Sequence, residues 1–178
     1  MIRTRAENAE VLYPDEDVVL AGAADWQELK RLAALNPRRR VRLCTHRSPD
    51  DALHEMLIVH TRETYVPPHK HLGKSESFSV LEGELDLVLF REDGRISRVI
   101  PMGAPATGKA SYCRPPEGTY HSLLIHSEFL VFHEVTQGPF RREQTVMAPW
   151  IPAGDDDSRR KALLAAAEKF RQTGPHPL

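Results

Sequence analysis

Two stretches of this 178-residue sequence carry side chains whose spacing could do chemistry. Residues 65–85, YVPPHKHLGKSESFSVLEGEL, hold His69, His71 and Glu76, followed by Gly83. Residues 110–126, ASYCRPPEGTYHSLLIH, hold Pro116, Gly118 and His121. Residues two apart in a strand share a face, so His69 and His71 point the same way. Ser75–Val80 alternates, with Phe78 and Val80 on the apolar face and the serines on the wet one. Glu76 falls on the apolar face, where a carboxylate is costly unless paired, protonated or bound to a metal. His121 shares its face with Leu123 and Ile125, while Ser122 and His126 point away. Each group has a bland reading by itself: a core histidine, a glutamate paired with an arginine, a chance H-x-H among nine histidines. In combination they propose three imidazoles and one carboxylate converging on one divalent transition-metal ion. Nitrogen and oxygen donors without thiolate suit Fe, Mn, Ni, Cu or Zn and do not choose among them. Four protein ligands leave an octahedral ion open to water, substrate or dioxygen, whereas a closed tetrahedral zinc would be structural.

The elements that must position these groups are mostly strands. Asp25 precedes Trp26-Gln27-Glu28 in a capping-box pattern, and Trp26, Leu29 and Ala33 lie at helical spacing, predicting a helix over 26–36. Asn36-Pro37 stops it. A strand-like VVLA lies at 18–21. Strands are expected at Arg38–His46, His54–Thr61, the two motif regions, Arg95–Ile100, Ser111–Arg114, Tyr120–His126 and Phe129–Val135. Turn signals, among them Leu81-Glu82-Gly83-Glu84 and Glu92-Asp93-Gly94, recur every eight to twelve residues, as in an all-β barrel or sandwich. Asp155-Asp156-Asp157-Ser158 opens a second helix to about Arg171, with Leu163, Ala167 and Phe170 as its apolar stripe and Thr173-Gly174-Pro175 as its stop. The expected organisation is an N-terminal segment with one helix (1–39), a β-barrel (40–150), and a C-terminal helix and tail (151–178).

His69-x-His71-x4-Glu76-x6-Gly83 resembles the first cupin motif, and Pro116-x-Gly118-x2-His121 resembles the second. The wider resemblance spans about residues 40–150. The phrases GKSESFSVLEGELDLVLF, VFHEVTQGPF and APW are similar to WbuC-type cupin fold metalloproteins. Where the family motifs have Gly, Gly and Asn at turn and packing positions, this chain has Glu63, Ala110 and Ile125. The resemblance implies a mainly β, single-domain cupin barrel (a double-stranded β-helix or jelly roll) with an N-terminal and a C-terminal helix. It implies one divalent metal on His69, His71, Glu76 and His121. It also associates some members with surface-polysaccharide gene clusters, which points to a sugar or sugar-derived acid as ligand.

Composition bounds the rest. A formal net charge of −1 argues against a dedicated nucleic-acid binder, and Arg38-Arg39-Arg40 with Arg42 reads as a solvated strand entry. The N-terminus lacks an apolar signal-peptide core, and no window is apolar enough to span a membrane, so a cytoplasmic protein is expected. Cys44 and Cys113 read as reduced thiols. Gly103–Ala110 nearly matches a phosphate-binding loop but has Ala110 where a magnesium-ligating hydroxyl belongs. Tyr65, Tyr112 and His133 are candidates to line a substrate pocket, each with the plainer role of core or rim residue. Lys74 and Arg91 could meet an anionic ligand, and read more simply as surface charges. Terminal helices and sheet edges offer surfaces for a homodimer. Two functions stay open: a metal-dependent isomerase, epimerase or oxygenase on a small molecule, and a non-catalytic metal- or sugar-binding accessory or sensor module.

Overall fold

The structure is a computed structural model that describes residues 2–173. Its elements run β1 (Thr4–Ala6), β2 (Val11–Pro14), α1 (Ala23–Leu35), β3 (Arg40–Cys44), β4 (Leu53–Thr61), β5 (His69–His71), β6 (Glu76–Glu82) and β7 (Glu84–Phe90). They continue with β8 (Ile96–Gly103), β9 (Tyr112–Cys113), β10 (His121–Ile125), β11 (Phe129–Gln137), β12 (Thr145–Met147) and α2 (Asp156–Thr173). The described residues are mainly β with two α-helices. Seven strands form one sheet in the order β1-β2-β3-β4-β11-β6-β9, and five form a second in the order β12-β5-β10-β7-β8. The two sheets face one another and are not hydrogen-bonded into a closed barrel among the described residues.

Three apolar layers follow from the period-two alternation. Met56, Ile58, Phe78, Val80, Leu130 and Phe132 of the larger sheet meet Leu85, Leu87, Leu89, Leu123 and Ile125 of the smaller one, making the central core. The outer face of the larger sheet (Val41, Leu43, Val59, Val131) is covered by Leu29 and Ala33 of α1. The outer face of the smaller sheet (Val88, Phe90, Leu124) is covered by Leu163, Leu164 and Ala167 of α2. Both sheets therefore bury two faces, and their strands carry apolar residues at both parities.

The β6–β7 hairpin turns at Gly83, whose φ is +89°. A Cβ there would lie 2.3 Å from the Phe129 carbonyl oxygen and 2.3 Å from Ser127 Oγ, so only glycine fits. α2 is tied to its sheet by Asp86, a buried carboxylate that receives hydrogen bonds from His126 Nε2 (2.5 Å) and from Arg171.

Some local expectations shift. The first helix begins earlier, with Gly22 as its N-cap. Asp25 is the third helical residue, and it accepts hydrogen bonds from the Gly22 N–H (2.9 Å) and the Ile2 N–H (2.6 Å). The VVLA stretch is not a strand; Val18 and Leu20 are 71% and 76% exposed. The N-terminal strands are instead β1 and β2, and β2 joins β3 in parallel. Gly103 ends β8, and Pro105–Thr107 forms one 3-10 turn with no helix to make a phosphate loop. Cys44 and Cys113 are free thiols on inward positions. Gly174 and Pro175 of the expected helix stop lie outside the described residues.

Candidate metal centre

The first motif is split between the two sheets. β5 carries His69 and His71 on the smaller sheet, where His69 pairs with His121 of β10 and His71 pairs with Thr145 of β12. Gly73, at φ +69°, turns the chain across to β6, which opens with Glu76 on the larger sheet. The second motif returns through Pro115-Pro116, and the Gly118 N–H donates to the His71 carbonyl at 3.0 Å. That bond ties the two motifs together just before His121.

The four side chains meet. His69, His71 and His121 each offer a nitrogen, and these atoms lie within 4.8 Å of one another. His71 Nε2 is 2.9 Å from Glu76 Oε2, and His121 Nε2 is 3.2 Å from Glu76 Oε1. The opposite edge of each ring is anchored. Nδ1 of His69 lies 2.8 Å from the Pro67 carbonyl, Nδ1 of His121 lies 3.0 Å from the Thr119 carbonyl, and Nδ1 of His71 lies 3.2 Å from Thr145 Oγ1. A carbonyl can only accept, so His69 and His121 each hold a proton on Nδ1 and turn Nε2 inward. Such outer anchors are the usual way a ligating imidazole is oriented.

The electrostatics follow from crowding. Burial, and then the neighbouring His121, lower the pKa of His69 to about 4, so its Nε2 is a bare lone pair at neutral pH. Burial lowers that of His121 too, but the hydrogen bond and charge of Glu76 outweigh it, and the net shift is upward. For Glu76, burial acts upward, while hydrogen bonds from His121 and His71 hold the carboxyl well below the usual range. A charged carboxylate flanked by imidazole nitrogens, with no thiolate, is a donor set that fits a divalent transition ion.

A cleft opens onto this cluster, lined by His71, Lys74, Glu76, Glu117, Thr119 and His121 among others. Its cavity volume is about 10 Å³, room for about one water. Tyr65, Tyr112 and His133 do not line it. Tyr65 is buried ahead of β5, where burial raises its pKa and Arg159 and Asp156 of α2 act on it. Tyr112 is exposed on the edge strand β9. His133 does share a face with Val131, but that is the outer face; its Nε2 lies 3.8 Å from Glu55 Oε1. Arg91 is exposed at the end of β7, whereas Lys74 is buried.

Sequence reasoning missed Glu134. It pairs across with Phe78 of β6 and Met56 of β4, on the inward face. Burial, and then the charge of Glu76, raise its pKa to about 8. The signal was its parity with Leu130 and Phe132. That signal was ambiguous because Phe129, Val131 and Val135 make the other face of β11 equally apolar. Lys74, whose simpler reading from sequence was a surface charge, has the parity of Glu76 and Phe78 and is buried.

A family described as a domain of unknown function, DUF6016, matches residues 22–102. No curated protein matches the chain in sequence. Among solved structures, protein SO0799 from Shewanella oneidensis is similar at 12% identity with a TM-score of 0.55, over 86% of this chain and 95% of that one. CapF, solved with the inhibitor 3-isopropenyl-tropolone, is similar at 16% identity with a TM-score of 0.50, over 63% of this chain and 32% of CapF. A sugar phosphate isomerase from a cupin superfamily, from Silicibacter pomeroyi, is similar at 20% identity with a TM-score of 0.39, over 49% of this chain and 52% of the isomerase. The chain thus spans about half the length of that isomerase and about a third of CapF. At these identities the likeness reaches the fold alone.

Proposed function

We propose that the chain is a metal-binding cupin of the WbuC type. His69, His71, Glu76 and His121 hold one divalent ion, and a small molecule, a sugar or sugar-derived acid, reaches it through the cleft. The observation that carries this reading is the set of outer anchors. Pro67, Thr119 and Thr145 hold the far edges of the three imidazoles. A buried carboxylate then faces two of the inner nitrogens. Packing alone needs no such convergence of Nε2 atoms. Once bound, the ion would polarise a ligand oxygen as a Lewis acid. The chain's own contribution is to hold the donors in place, to exclude bulk water from a water-sized cleft, and to keep the Glu134 carboxyl nearby as a group able to give or take a proton. The isomerase or epimerase reading uses that carboxyl.

One observation favours the non-catalytic alternative. A cleft of about 10 Å³ seats a water or one ligand oxygen and not a whole sugar ring. Metal content tests the shared core of both readings. Plasma mass spectrometry of protein purified without added metal or chelator should find about one equivalent of a transition metal. His71→Ala and His121→Ala should lose most of it, and His126→Ala, on the outer face, should keep it. Protein that carries no metal and takes none up when offered it would overturn the proposal.

A further inference from the structure

Lys74 is 5% exposed, among the most buried charged residues of the described chain. It belongs to the short link between β5 and β6, and it lines the same cleft as His71, Glu76 and His121. Burying an ammonium is costly unless a counter-charge compensates it. Among the described residues it makes neither an ion pair nor a hydrogen bond: Glu76 and Glu134 attract it only through space. Glu76 is already committed, with one oxygen to His71 and the other to His121. Among the described residues the charge lies over the ring of Phe140, with its centroid 5.8 Å from Nζ, a weak cation–π partner at that range. The ammonium keeps access to the cleft while the stem is buried, since Nζ is not among the polar atoms cut off from solvent. Other lysines of this protein show the contrast: Lys30, Lys70 and Lys109 each hold a carboxylate at 2.5–2.7 Å.

We infer that the ligand of this cleft carries a carboxylate, and that Lys74 receives it beside the metal centre. The inference deepens the proposed function and rests on it for the position of the ion. A divalent ion and Lys74 together bring three positive charges to the cleft, against the two negative charges of Glu76 and Glu117. The surplus favours an anion. Shape narrows the class. The cleft that Lys74 shares with His71 and His121 has room for about one ligand oxygen, so a flat carboxylate can seat one oxygen in it and keep the other at its mouth, whereas a tetrahedral phosphate is bulkier. A charge-assisted ammonium–carboxylate bond at about 2.8 Å is the strong kind of hydrogen bond, and it replaces the lost hydration of Nζ. Phe140, half exposed on the loop after β11, then closes the apolar side of the lysine. No residue of the chain need move a proton or break a bond for this role; it is recognition only.

The test uses acetate as the smallest carboxylate, acetamide as its neutral isostere, and inorganic phosphate. Binding is followed by titration calorimetry on the full chain, and in parallel by the visible spectrum of the cobalt(II)-loaded protein. Wild type should bind acetate and ignore acetamide. Lys74→Met should weaken acetate by at least about tenfold, as expected for loss of a hydrogen bond to a charged group, while cobalt stoichiometry stays unchanged. Lys74→Arg, which keeps the charge, should retain most of the affinity and guards against a folding defect in the methionine variant. If cobalt is not held but acetate still binds through Lys74, the carboxylate site stands and the metal reading falls. Equal affinity of wild type and Lys74→Met, equal binding of acetate and acetamide, no acetate binding by wild type, or a Lys74-dependent preference for phosphate would each overturn the inference.

Discussion

His60 should make this fold acid-sensitive by a calculable amount. It sits on the inward face of β4, opposite Arg40 of β3 and Leu130 of β11, with its ring edge-on to Phe132 at 5.3 Å. It is 7% exposed, and its buried Nδ1 has no hydrogen-bond partner. Burial, aided by the charges of Arg40, Arg42 and Arg38, lowers its pKa from 6.5 to about 3. Because this histidine is depressed, it is neutral in the folded chain and charged in the unfolded chain anywhere between those two values. Stability is therefore full above pH 6.5, falls as pH drops through that value, and stops falling near pH 3. The slope is one proton, about 1.4 kcal/mol per pH unit. Between pH 7 and pH 5 the loss is about 2 kcal/mol, or roughly 4–8 °C in Tm for a chain of this size. His60→Leu removes the titrating group and the unpartnered nitrogen together. Urea unfolding of both proteins at pH 7 and pH 5 isolates the effect, since every other acid-sensitive group is common to the pair. The variant should lose about 2 kcal/mol less than wild type over that interval. Identical losses in the two proteins would mean that His60 takes up its proton in the folded state, and that this end of the core is wetter than its packing implies.

Two further outcomes check the scaffold. Gly83→Ala combines a φ of +89° with a Cβ 2.3 Å from a backbone oxygen, so it should cost at least about 3 kcal/mol and lower Tm accordingly; a Tm within a degree of wild type would show that the β6–β7 turn can relax. Asp86→Ala leaves Arg171 and His126 without their shared carboxylate, and because both are more than a third exposed the cost should be only roughly 2 kcal/mol. Hydrogen exchange should speed up in α2 and not in α1, and unchanged exchange in α2 would remove Asp86 as its tether.

The inward placing of Glu76 and His121 was legible because each strand alternates cleanly around it, with serines marking one face of β6. The hairpin at Gly83 and the helix after Asp155 were legible from turn and capping chemistry, which is local. The orientation of β11 was not. Both its faces are apolar, since one packs in the core and the other under α1, so periodicity could not say that Glu134 rather than His133 looks inward. Tyr65 was out of reach for a different reason: it precedes β5 in an irregular segment, where parity has no meaning. The start of α1 moved because a carboxylate can serve equally as an N-cap or as the third residue reaching back to one, and the choice depends on the Ile2 N–H that Asp25 also receives.

The amino-acid order alone therefore determined the type of chemistry, three imidazoles and a carboxylate on alternating strands, because residue identity and a two-residue period are local properties. Tertiary structure decided which backbone carbonyls anchor the imidazoles and which apolar face becomes the outside. It also decided that Lys74 is enclosed without a partner. Those outcomes depend on which distant segments share a neighbourhood, and that is set by the packing of two sheets and two helices, which no single stretch of sequence contains.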